Sequence, residues 1–454
     1  MTCGTGLMKV LFSRPSSYNL SFSLRFSMNL SMNLDRDINT PKTDNRKRWT
    51  IFATLALMYI LVYFYRVSLA VVAGDISREL HLTPAQLGSL SGILFYVYAA
   101  AQLPLGPMID RLGSRLVISG CGVLTTLGGF LFAQADTLAV AMIARVLIGI
   151  GTASVLMATF TLFSHWFSKQ EFGRVSGFMV ALGNLGNLAA TAPLALAVGA
   201  FGWRNSFLAA GVLQAVVTVL VFSKVQDRPD SCNARKDSDS SPEIKMMAAW
   251  GEIFGTRDFW LLGIMSFFWY GNYLALQALW GGPYLMEVMH LPRETAGSML
   301  MFTSFGFIVG SSLIDTVARR LFKSYKRTLL TGQLVLLLFM TSFLGWAESI
   351  PQPLLALVFF VIGLAVSSGV MIYPIIRSMF PVKIVGTALT SLNFYVLMGA
   401  AVTQQVMGVI IGSYCDKAAS ISAAALHTAF MFPVAGLLFS IILYSRAGEY
   451  GQLK

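Results

Sequence analysis

Two arginines interrupt stretches of the chain that are otherwise almost entirely apolar. Arg66 lies nine residues before Asp75, and Arg145 lies nine residues after Asp136. An arginine inside a segment that crosses a bilayer costs on the order of 3 kcal/mol on insertion scales, so each is a candidate functional residue. At about 1.5 Å per residue, both guanidiniums are expected roughly 13 Å below the same membrane boundary. Two cations at one depth can converge on an anionic ligand.

Arg66 shares one helical face with Tyr59 and Tyr63, because the three residues follow the i, i+4 and i+7 spacing of a helix. A guanidinium binds a carboxylate or a phosphate through two parallel hydrogen bonds, and neighbouring hydroxyl groups can complete such a site. This face therefore predicts a cradle for an anion. The alternative for Arg66 is that it extends to Asp75 or to the lipid headgroups. The alternative for Arg145 is that it organises helix packing.

A stripe of aromatic and amide side chains follows one face of a later helix. Its members lie three or four residues apart, so they share a face that can lie opposite Arg66. Stripes of this kind also pack helices against each other, and both interpretations remain open here. The stripe consists of Trp269, Tyr273, Gln277 and Trp280, and the further candidate binding residues are Tyr98, Gln102, Tyr373, Asn393 and Gln404.

The composition is that of a membrane protein. Of the 454 residues, 56% are hydrophobic and only 12% are charged, which is more apolar surface than a soluble domain buries. A helix needs about 20 apolar residues to cross a bilayer core of about 30 Å. The chain has twelve such stretches and is predicted to be an all-α membrane protein with twelve transmembrane helices. They lie near residues 50–74, 85–109, 115–134, 137–165, 174–199, 204–223, 259–284, 295–316, 327–346, 352–378, 384–412 and 423–445.

The positive charge follows the loops of this topology. The formal net charge of +12 comes from 33 Lys and Arg residues against 21 Asp and Glu residues. Most of the basic residues fall in segments that share a side with the N-terminus, as the positive-inside rule expects of cytoplasmic segments. A nucleic-acid surface would instead cluster its bases on one face with aromatic residues between them. We therefore expect an integral membrane protein with both termini cytoplasmic and no nucleic-acid partner.

The first 48 residues precede the apolar stretches and are Ser-rich, with no acidic residue before Asp35. No apolar core followed by a small-residue cleavage site marks them as a signal peptide. They are expected to be a disordered cytoplasmic tail, which fits a protein of the bacterial inner membrane. The same composition also fits an organelle transit peptide, so an organelle membrane is the alternative location. A further alternative is a misplaced start codon, with Met28 or Met32 as a later start.

The chain divides into two halves that resemble each other. When Asp110 is aligned with Asp315, Arg115 falls on Arg320, and both acids lie in a tight turn after the second helix of a half. The four cysteines are far apart and lack metal-binding spacing, so no metal site, disulfide or cofactor is expected. The predicted divisions are a tail at 1–48, a six-helix half at 49–223, a central cytoplasmic loop at 224–257, a second six-helix half at 258–446 and a tail at 447–454.

Two motifs in the first half resemble those of a known protein family. The segment "GPMIDRLGSR" follows the second predicted helix, and "ARVLIGIGTAS" lies in the fourth. Together they resemble the major facilitator superfamily, whose fold has two pseudo-symmetric six-helix halves around a central substrate site. The resemblance implies transport by alternating access, with the loop charges acting as a conformational latch, while the alternative is that they only anchor the loop. The residues of the predicted latch are Gly106, Asp110, Arg111, Gly113, Arg115, Asp315 and Arg320.

The stretch "YFYRVSLAVVAGDISRELHLTPAQLGSLSG" resembles the branches of this superfamily that carry organic anions and organophosphates, and Arg66 matches the arginine of their first helix. The resemblance implies a carrier of a small organic anion that bears a carboxylate. The alternatives are an amino-acid or peptide carrier and a nutrient sensor that binds without transport. The chain has no Walker sequence and no His-Glu-x-x-His motif, so enzymatic activity is not expected.

Ion coupling has few candidate residues. None of the predicted spans carries an Asp or Glu near its middle, and Thr152 stands where the resembling carriers can have a glutamate. The remaining candidate residues for coupling are Asp75 and His427, and the alternative is transport without coupling. A proton or another ion is therefore a candidate partner, beside the small-molecule substrate and the lipid bilayer. The protein is expected to work as a monomer.

Overall fold

The computed structural model describes residues 45–167, 169–229, 246–414 and 421–450. Within these ranges the chain is helical and has no β-strand. The helices of the first half are α1 (Asn45–Val67), α2 (Leu69–Glu79), α3 (Pro84–Leu112), α4 (Ser114–Ala133), α5 (Leu138–Ala153), α6 (Val155–Trp166), α7 (Lys169–Ala189) and α8 (Ala192–Lys224).

The described residues after α8 form nine further α-helices and several tighter or wider helical turns. The α-helices are α9 (Met246–Gly255), α10 (Arg257–Leu274), α11 (Gly281–Pro283), α12 (Arg293–Val317), α13 (Tyr325–Met340), α14 (Gln352–Ser367), α15 (Ile372–Met379), α16 (Val382–Tyr414) and α17 (Ala423–Ser445). Wider π-helical turns flank α11 at Ala275–Trp280 and Tyr284–Val288, and another follows α12 at Ala318–Phe322.

Ten helical segments among the described residues are long and apolar enough to cross a membrane. One of them, Val175–Lys224, has 50 residues and would be roughly 75 Å long as one helix, which is far more than one crossing needs. The backbone leaves the helical conformation inside it at Gly202, where φ is 80°. Divided at this break, the segment can cross the membrane twice. The 29-residue α3, which is not one of the ten segments, can supply a further crossing, so the arrangement is consistent with the twelve predicted crossings.

Two predicted boundaries differ from the structure. Helix α1 begins at Asn45, inside the segment predicted as a tail, and its side chains already contact α7 through the pair of Arg48 and Glu171 at 3.2 Å. The central segment predicted as a loop contains α9, which the sequence analysis did not identify. The predicted disorder of the N-terminal tail otherwise falls on residues 1–44, outside the described part of the chain.

Glycines allow several helices to approach each other at backbone distance. A side chain on Gly186 would meet the backbone of Ile60, and one on Gly306 would meet the backbone of Phe360. Small residues at such crossings are typical of membrane proteins, where van der Waals contact between backbones replaces the hydrophobic drive that holds soluble helices together.

The two halves meet at one end of the helix bundle. We call the end where α1 begins the terminal face and the opposite end the distal face. Near the distal face, Gly282 of α11 lies directly against the carbonyl of Ala70 in α2, without space for a side chain. Closer to the middle, the Tyr96 hydroxyl of α3 donates a hydrogen bond of 2.7 Å to Gln405 Oε1 of α16. These contacts close the distal face.

Towards the terminal face the halves separate and enclose a cavity of about 930 Å³. Its walls come from α3, α6, α9 and α16. The deepest lining residues are Ala99 and Gln102, and its mouth lies at the level of Ile109, Ser164 and Gly386. The molecule is therefore open to the terminal face and closed to the distal face.

Candidate functional site

Arg66 lies in the last turn of α1 with only 7% of its surface exposed. Its guanidinium carbon is 4.6 Å from the centroid of the Tyr98 ring and 5.0 Å from that of Tyr63. The Nε atom is buried without a hydrogen-bond partner. Among the residues that the structure describes, no carboxylate forms an ion pair with Arg66. Within the described ranges, the site therefore holds a desolvated cation without a counter-ion.

Tyrosines from both halves surround this cation, and we call them the tyrosine collar: Tyr59, Tyr63, Tyr98, Tyr270 and Tyr373. The hydroxyl groups of Tyr59 and Tyr63 are 3.3 Å apart, and those of Tyr98 and Tyr270 lie close enough to interact directly with the guanidinium. Tyr373 belongs to the same electrostatic cluster and is 38% exposed, although it lies among buried groups.

The collar can do specific chemistry with Arg66. A buried charge is costly unless an opposite charge compensates it, so an anion that enters the site gains attraction that is weakly screened. A guanidinium offers two parallel donors to a carboxylate, and phenolic hydroxyls can donate to its remaining lone pairs. The geometry suits one anionic head group of a small molecule.

The alternative position of Arg66, extended towards Asp75, is not adopted. The carboxylate of Asp75 is bound by Arg293 at 2.6 Å and by Arg78 at 3.1 Å. Asp75 lies in α2 and Arg293 begins α12, so this ion pair joins the two halves near the distal face. Arg66 therefore forms no ion pair with Asp75, and its guanidinium lies among the tyrosines of the collar.

Arg145 occupies a different environment. It is 1% exposed, and its guanidinium donates hydrogen bonds to the backbone carbonyls of Tyr65 at 3.0 Å and Leu90 at 3.3 Å. These bonds tie α5 to α1 and α3. Its predicted role in substrate binding stays a prediction, since the contacts in the structure are those of a packing residue.

Replacement of Arg145 by lysine is expected to destabilise the protein by about 1–3 kcal/mol, because a single ammonium cannot reproduce both carbonyl contacts. The thermal unfolding temperature of the purified Arg145→Lys protein should fall, whereas the KM of the folded fraction for its substrate should not change. A KM that rises at an unchanged unfolding temperature would show that Arg145 contacts substrate instead.

The stripe on α10 and the turn after it is engaged mainly with neighbouring helices. Trp269 donates to the Val366 carbonyl at 2.8 Å, and Trp280 donates to the Gln404 carbonyl at 3.0 Å. A third member, Gln277, is fully buried. The remaining partners are Ser304 for Gln277 at 3.1 Å, Asn187 for Tyr273 at 3.3 Å and the Leu274 carbonyl for Gln404 at 3.1 Å. A binding role for Trp269, Tyr273, Gln277, Trp280 and Gln404 remains a prediction.

Gln102 and Asn393 mark the apex of the cavity. The Asn393 amide of α16 donates a hydrogen bond of 3.1 Å to Gln102 Oε1 of α3, so the two halves are bridged there. Gln102 lies one helical turn from Tyr98 and lines the cavity. The structure thus brings these two predicted residues together, next to the collar.

Tyr270 is a collar residue that the sequence analysis missed. It follows Trp269 directly and therefore lies about 100° around α10 from the predicted stripe. The sequence "WYGNY" contains Tyr270 as a further aromatic residue with a polar group. The i, i+4 spacing places it on another face of the helix than the predicted stripe, so it was not selected.

The predicted latch is only partly visible. The surroundings of Gly106 and the side chain of Asp110 lie outside the described part of the structure, and Arg111 is exposed. The Arg115 backbone amide donates to Asp227 Oδ1 at 2.9 Å, and a side chain on Gly113, where φ is 85°, would meet that carboxylate. In the second half, Asp315 pairs at 2.7 Å with Arg319 and not with Arg320. Since the terminal face is open, a latch for that face stays a prediction.

The coupling candidate His427 belongs to a separate cluster. Its Nε2 atom lies 2.6 Å from Glu348 Oε1, and the Tyr284 hydroxyl donates to the same oxygen at 3.3 Å. All three residues lie in the second half, where they tie α17 to the turn at Ala347–Ser349. The cluster supports the distal end of that half and does not belong to the collar.

Neutralisation of Asp75 or Arg293 is expected to loosen the distal face, because their ion pair is a direct link between the halves there. The reporter is Ala99→Cys in a cysteine-free background, labelled by an impermeant maleimide that is applied on the distal side. The rate of labelling should increase about fivefold in the Asp75→Asn and Arg293→Gln variants, because a partly exposed ion pair contributes about 1 kcal/mol.

The matched control for this prediction is Arg78→Gln. Arg78 also contacts Asp75, but it lies on the same helix and is 76% exposed, so its loss should leave labelling unchanged. Equal acceleration in all three variants would attribute the effect to general loosening of α2 and would overturn the role of the Arg293 link.

Known proteins provide an independent comparison. The family model described as Major Facilitator Superfamily matches residues 55–404. A protein of Cupriavidus necator named probable sulfoacetate transporter SauU is 29% identical over 320 residues, 67% of this chain and 71% of the relative. The probable L-galactonate transporter of Escherichia coli is 28% identical over 294 residues, 60% of this chain and 63% of the relative.

The fold is also similar to that of solved transporters. A crystal structure of a bacterial homolog of the human lysosomal transporter Spinster, described as inward-facing and unoccupied, has a TM-score of 0.73 at 17% identity and covers 89% of this chain and 97% of its own. That likeness concerns the fold alone. The family match spans most of the chain, the helices form two halves with a cavity between them, and the chain belongs to the Major Facilitator Superfamily, a family of membrane transporters and not of enzymes.

Proposed function

We propose that the chain carries a small organic anion, bearing a carboxylate, across its membrane by alternating access. The observation that carries this proposal is Arg66, a buried cation at the junction of the halves, ringed by hydroxyl groups and without a counter-ion among the described residues. An anionic head group would supply the missing partner. Since the collar draws residues from both halves, a bound anion also favours their approach.

The names of the relatives agree with this proposal. Sulfoacetate and L-galactonate are both small organic anions that carry a carboxylate. Each is the substrate in the name of a relative less than 30% identical to this chain, and the carboxylate is the group that the two compounds share. The support comes from the agreement between these names and the charge of the site.

An amino-acid carrier is the second candidate, and the site favours it less. A zwitterion needs a partner for its ammonium group, and no described carboxylate lies in the collar. The tyrosine rings could hold a cation, but Arg66 already lies over Tyr63 and Tyr98. A sensor would bind the same anion without flux, and only a transport measurement separates it from a carrier.

We further propose that no proton is carried on an acidic side chain of the site. Thr152, at the position where a glutamate was sought, is buried, and its hydroxyl donates to the Ile148 carbonyl of its own helix at 2.7 Å. Asp75 is held in the distal ion pair, and His427 is held by Glu348. Anion movement would then depend on the membrane potential more than on pH.

The membrane and the assembly are part of the same proposal. The relatives named above are bacterial, and the basic residues favour a cytoplasmic terminal face, so we propose the bacterial inner membrane. The collar and cavity are built by one chain, which supports a working monomer. The N-terminal residues that suggest an organelle as the alternative lie outside the described ranges.

Uptake by purified protein in liposomes tests the proposal. The panel comprises carboxylates, sulfonates, organophosphates and amino acids, each at two pH values and with the membrane potential set by a potassium gradient. Saturable uptake of a carboxylate that responds to potential and little to pH supports the proposal. Saturable uptake of an amino acid alone would replace it with the second candidate, and a strong pH response would overturn the proposal on coupling.

A further inference from the structure

Between Gln102 and the terminal face, the cavity is walled by aromatic side chains, which we call the aromatic vestibule: Phe160, Trp250, Phe254, Phe394 and Tyr395. Phe254 and Phe394 are 40% and 44% exposed. Both face the cavity, so their exposed surface is open to a ligand in it. Large apolar rings facing a cavity lose water when a ligand arrives and therefore favour apolar groups.

The vestibule is held in a fixed shape. The Trp260 indole donates to the Phe254 carbonyl at 2.8 Å and thereby fixes the end of α9 to α10. Phe254 packs on Phe259 and Trp260 at ring distances of 5.6 and 5.7 Å, and Tyr395 packs edge-on against the same two rings. Helix α9 thus completes the wall from outside the predicted twelve-helix bundle, as a built part of the cavity.

Three of the hydroxyl groups in this stretch are occupied by their own helices. The hydroxyls of Thr161 and Ser164 donate to the carbonyls of Met157 and Thr161 at 3.1 and 2.7 Å, and that of Thr390 donates to Gly386 at 3.0 Å. They have no free proton to offer a ligand. A ligand rich in hydroxyl groups could pair with Thr387 and Ser391 but would leave its other donors and acceptors unpaired against the aromatic wall.

The length of the vestibule sets the size of its occupant. Tyr98 in the collar and Ile109 at the mouth are eleven residues apart on α3, which corresponds to roughly 16 Å along the helix axis. A cavity of about 930 Å³ lies in the range of those that bind ligands well above the size of a two-carbon acid.

We propose that the site takes an amphiphilic anion, with its carboxylate on Arg66 and an aryl or alkyl group in the aromatic vestibule. This inference rests on the proposed function and specifies its substrate class. It assigns a function to Trp250 and Phe254 of α9, whose aromatic side chains would otherwise line the cavity without a role. On binding, the apolar group moves from water into the aromatic vestibule, and the carboxylate becomes the counter-ion of Arg66.

Titration calorimetry of the full chain in lipid nanodiscs tests this inference, with phenylacetate, 4-phenylbutyrate and 6-phenylhexanoate as probes and empty nanodiscs as the blank. Affinity should rise about tenfold for each step of two methylenes, because each buried methylene strengthens binding by up to about fourfold. Trp250→Ala and Phe254→Ala should flatten this rise, with a loss of affinity that grows from phenylacetate to 6-phenylhexanoate. The control Trp346→Ala, at a tryptophan that is 78% exposed outside the cavity, should keep the full rise.

Phenylalkyl trimethylammonium ions with the same tails provide the opposite charge and should not bind in the cavity. Equal affinity along the carboxylate series, or a rise that persists in both vestibule variants or in the cation series, overturns the inference. If short carboxylates are taken up in the liposome assay but tail length has no effect, only this inference fails. If no carboxylate binds and none is taken up, the proposed function fails with it.

Discussion

Replacement of Arg66 by glutamine is expected to reduce anion uptake at least about 30-fold when the substrate concentration lies below its KM. Removal of one partner from a buried charge pair costs 2–5 kcal/mol, which lowers affinity roughly 30-fold to several thousandfold. Glutamine preserves much of the side-chain volume, so the collar rings of Tyr63 and Tyr98 keep a neighbour. The measurement is substrate affinity and uptake rate in the liposome assay.

Lysine at the same position separates charge from geometry. The Arg66→Lys protein retains a cation but loses the two-pronged guanidinium, so its affinity should lie between those of the wild type and of Arg66→Gln. Arg377→Gln is the matched control, because Arg377 is an exposed arginine that is not part of the collar. Wild-type uptake by a folded Arg66→Gln protein would exclude Arg66 from the substrate site.

A disulfide across the distal face is expected to stop transport completely and reversibly. A side chain on Gly412 of α16 would place its Cβ 3.7 Å from Cβ of Ala85 in α3, which is within the range that a disulfide needs. These helices belong to different halves. Oxidation of the Ala85→Cys, Gly412→Cys double variant, in a background free of native cysteines, would fix the distal face in its closed state.

The protein with this crosslink should still bind anions from the terminal face, where the cavity is open, but should neither take up nor exchange them. Reduction should restore transport, and the single variants Ala85→Cys and Gly412→Cys should be active under oxidising conditions. Transport that continues in a fully crosslinked protein would contradict alternating access between these two halves.

The helical membrane fold could be predicted from sequence because its signal is local. Each crossing needs about 20 apolar residues, and nearly every predicted span coincides with a helix in the structure. Helix α9 was missed because it is only ten residues long, lies next to a polar linker and is held by tertiary contacts with α10, namely the indole hydrogen bond from Trp260 and the packing of Phe254. A contact of that kind leaves no periodic pattern in the chain.

The site was predictable in part. The face shared by Tyr59, Tyr63 and Arg66 follows from helix geometry alone, and the structure keeps it. Tyr98 was identified by its polarity in an apolar span, but its position over Arg66 depends on how α3 packs against α1. Tyr270 was missed, because the rotation of α10 about its axis is set by contacts with other helices.

Two buried polar groups show why spacing cannot separate binding from packing. Arg145 and Trp269 are both polar side chains in apolar helices, and both direct their donors to backbone carbonyls of other helices. Those carbonyls become available through tertiary packing, which a single sequence does not encode as a pattern. Arg66 differs from both, because its neighbours are tyrosine rings and hydroxyl groups and not backbone carbonyls.

Counterflow exchange tests the central claim most directly. Liposomes containing the purified protein are preloaded with the carboxylate that the uptake panel selects, and entry of the labelled compound is followed against a tracer concentration outside. A carrier that alternates between its faces predicts transient accumulation of label in preloaded vesicles, absent without preloading and absent with Arg66→Gln. Saturable, Arg66-dependent binding of the same compound without any exchange would contradict the account and identify the protein as a sensor.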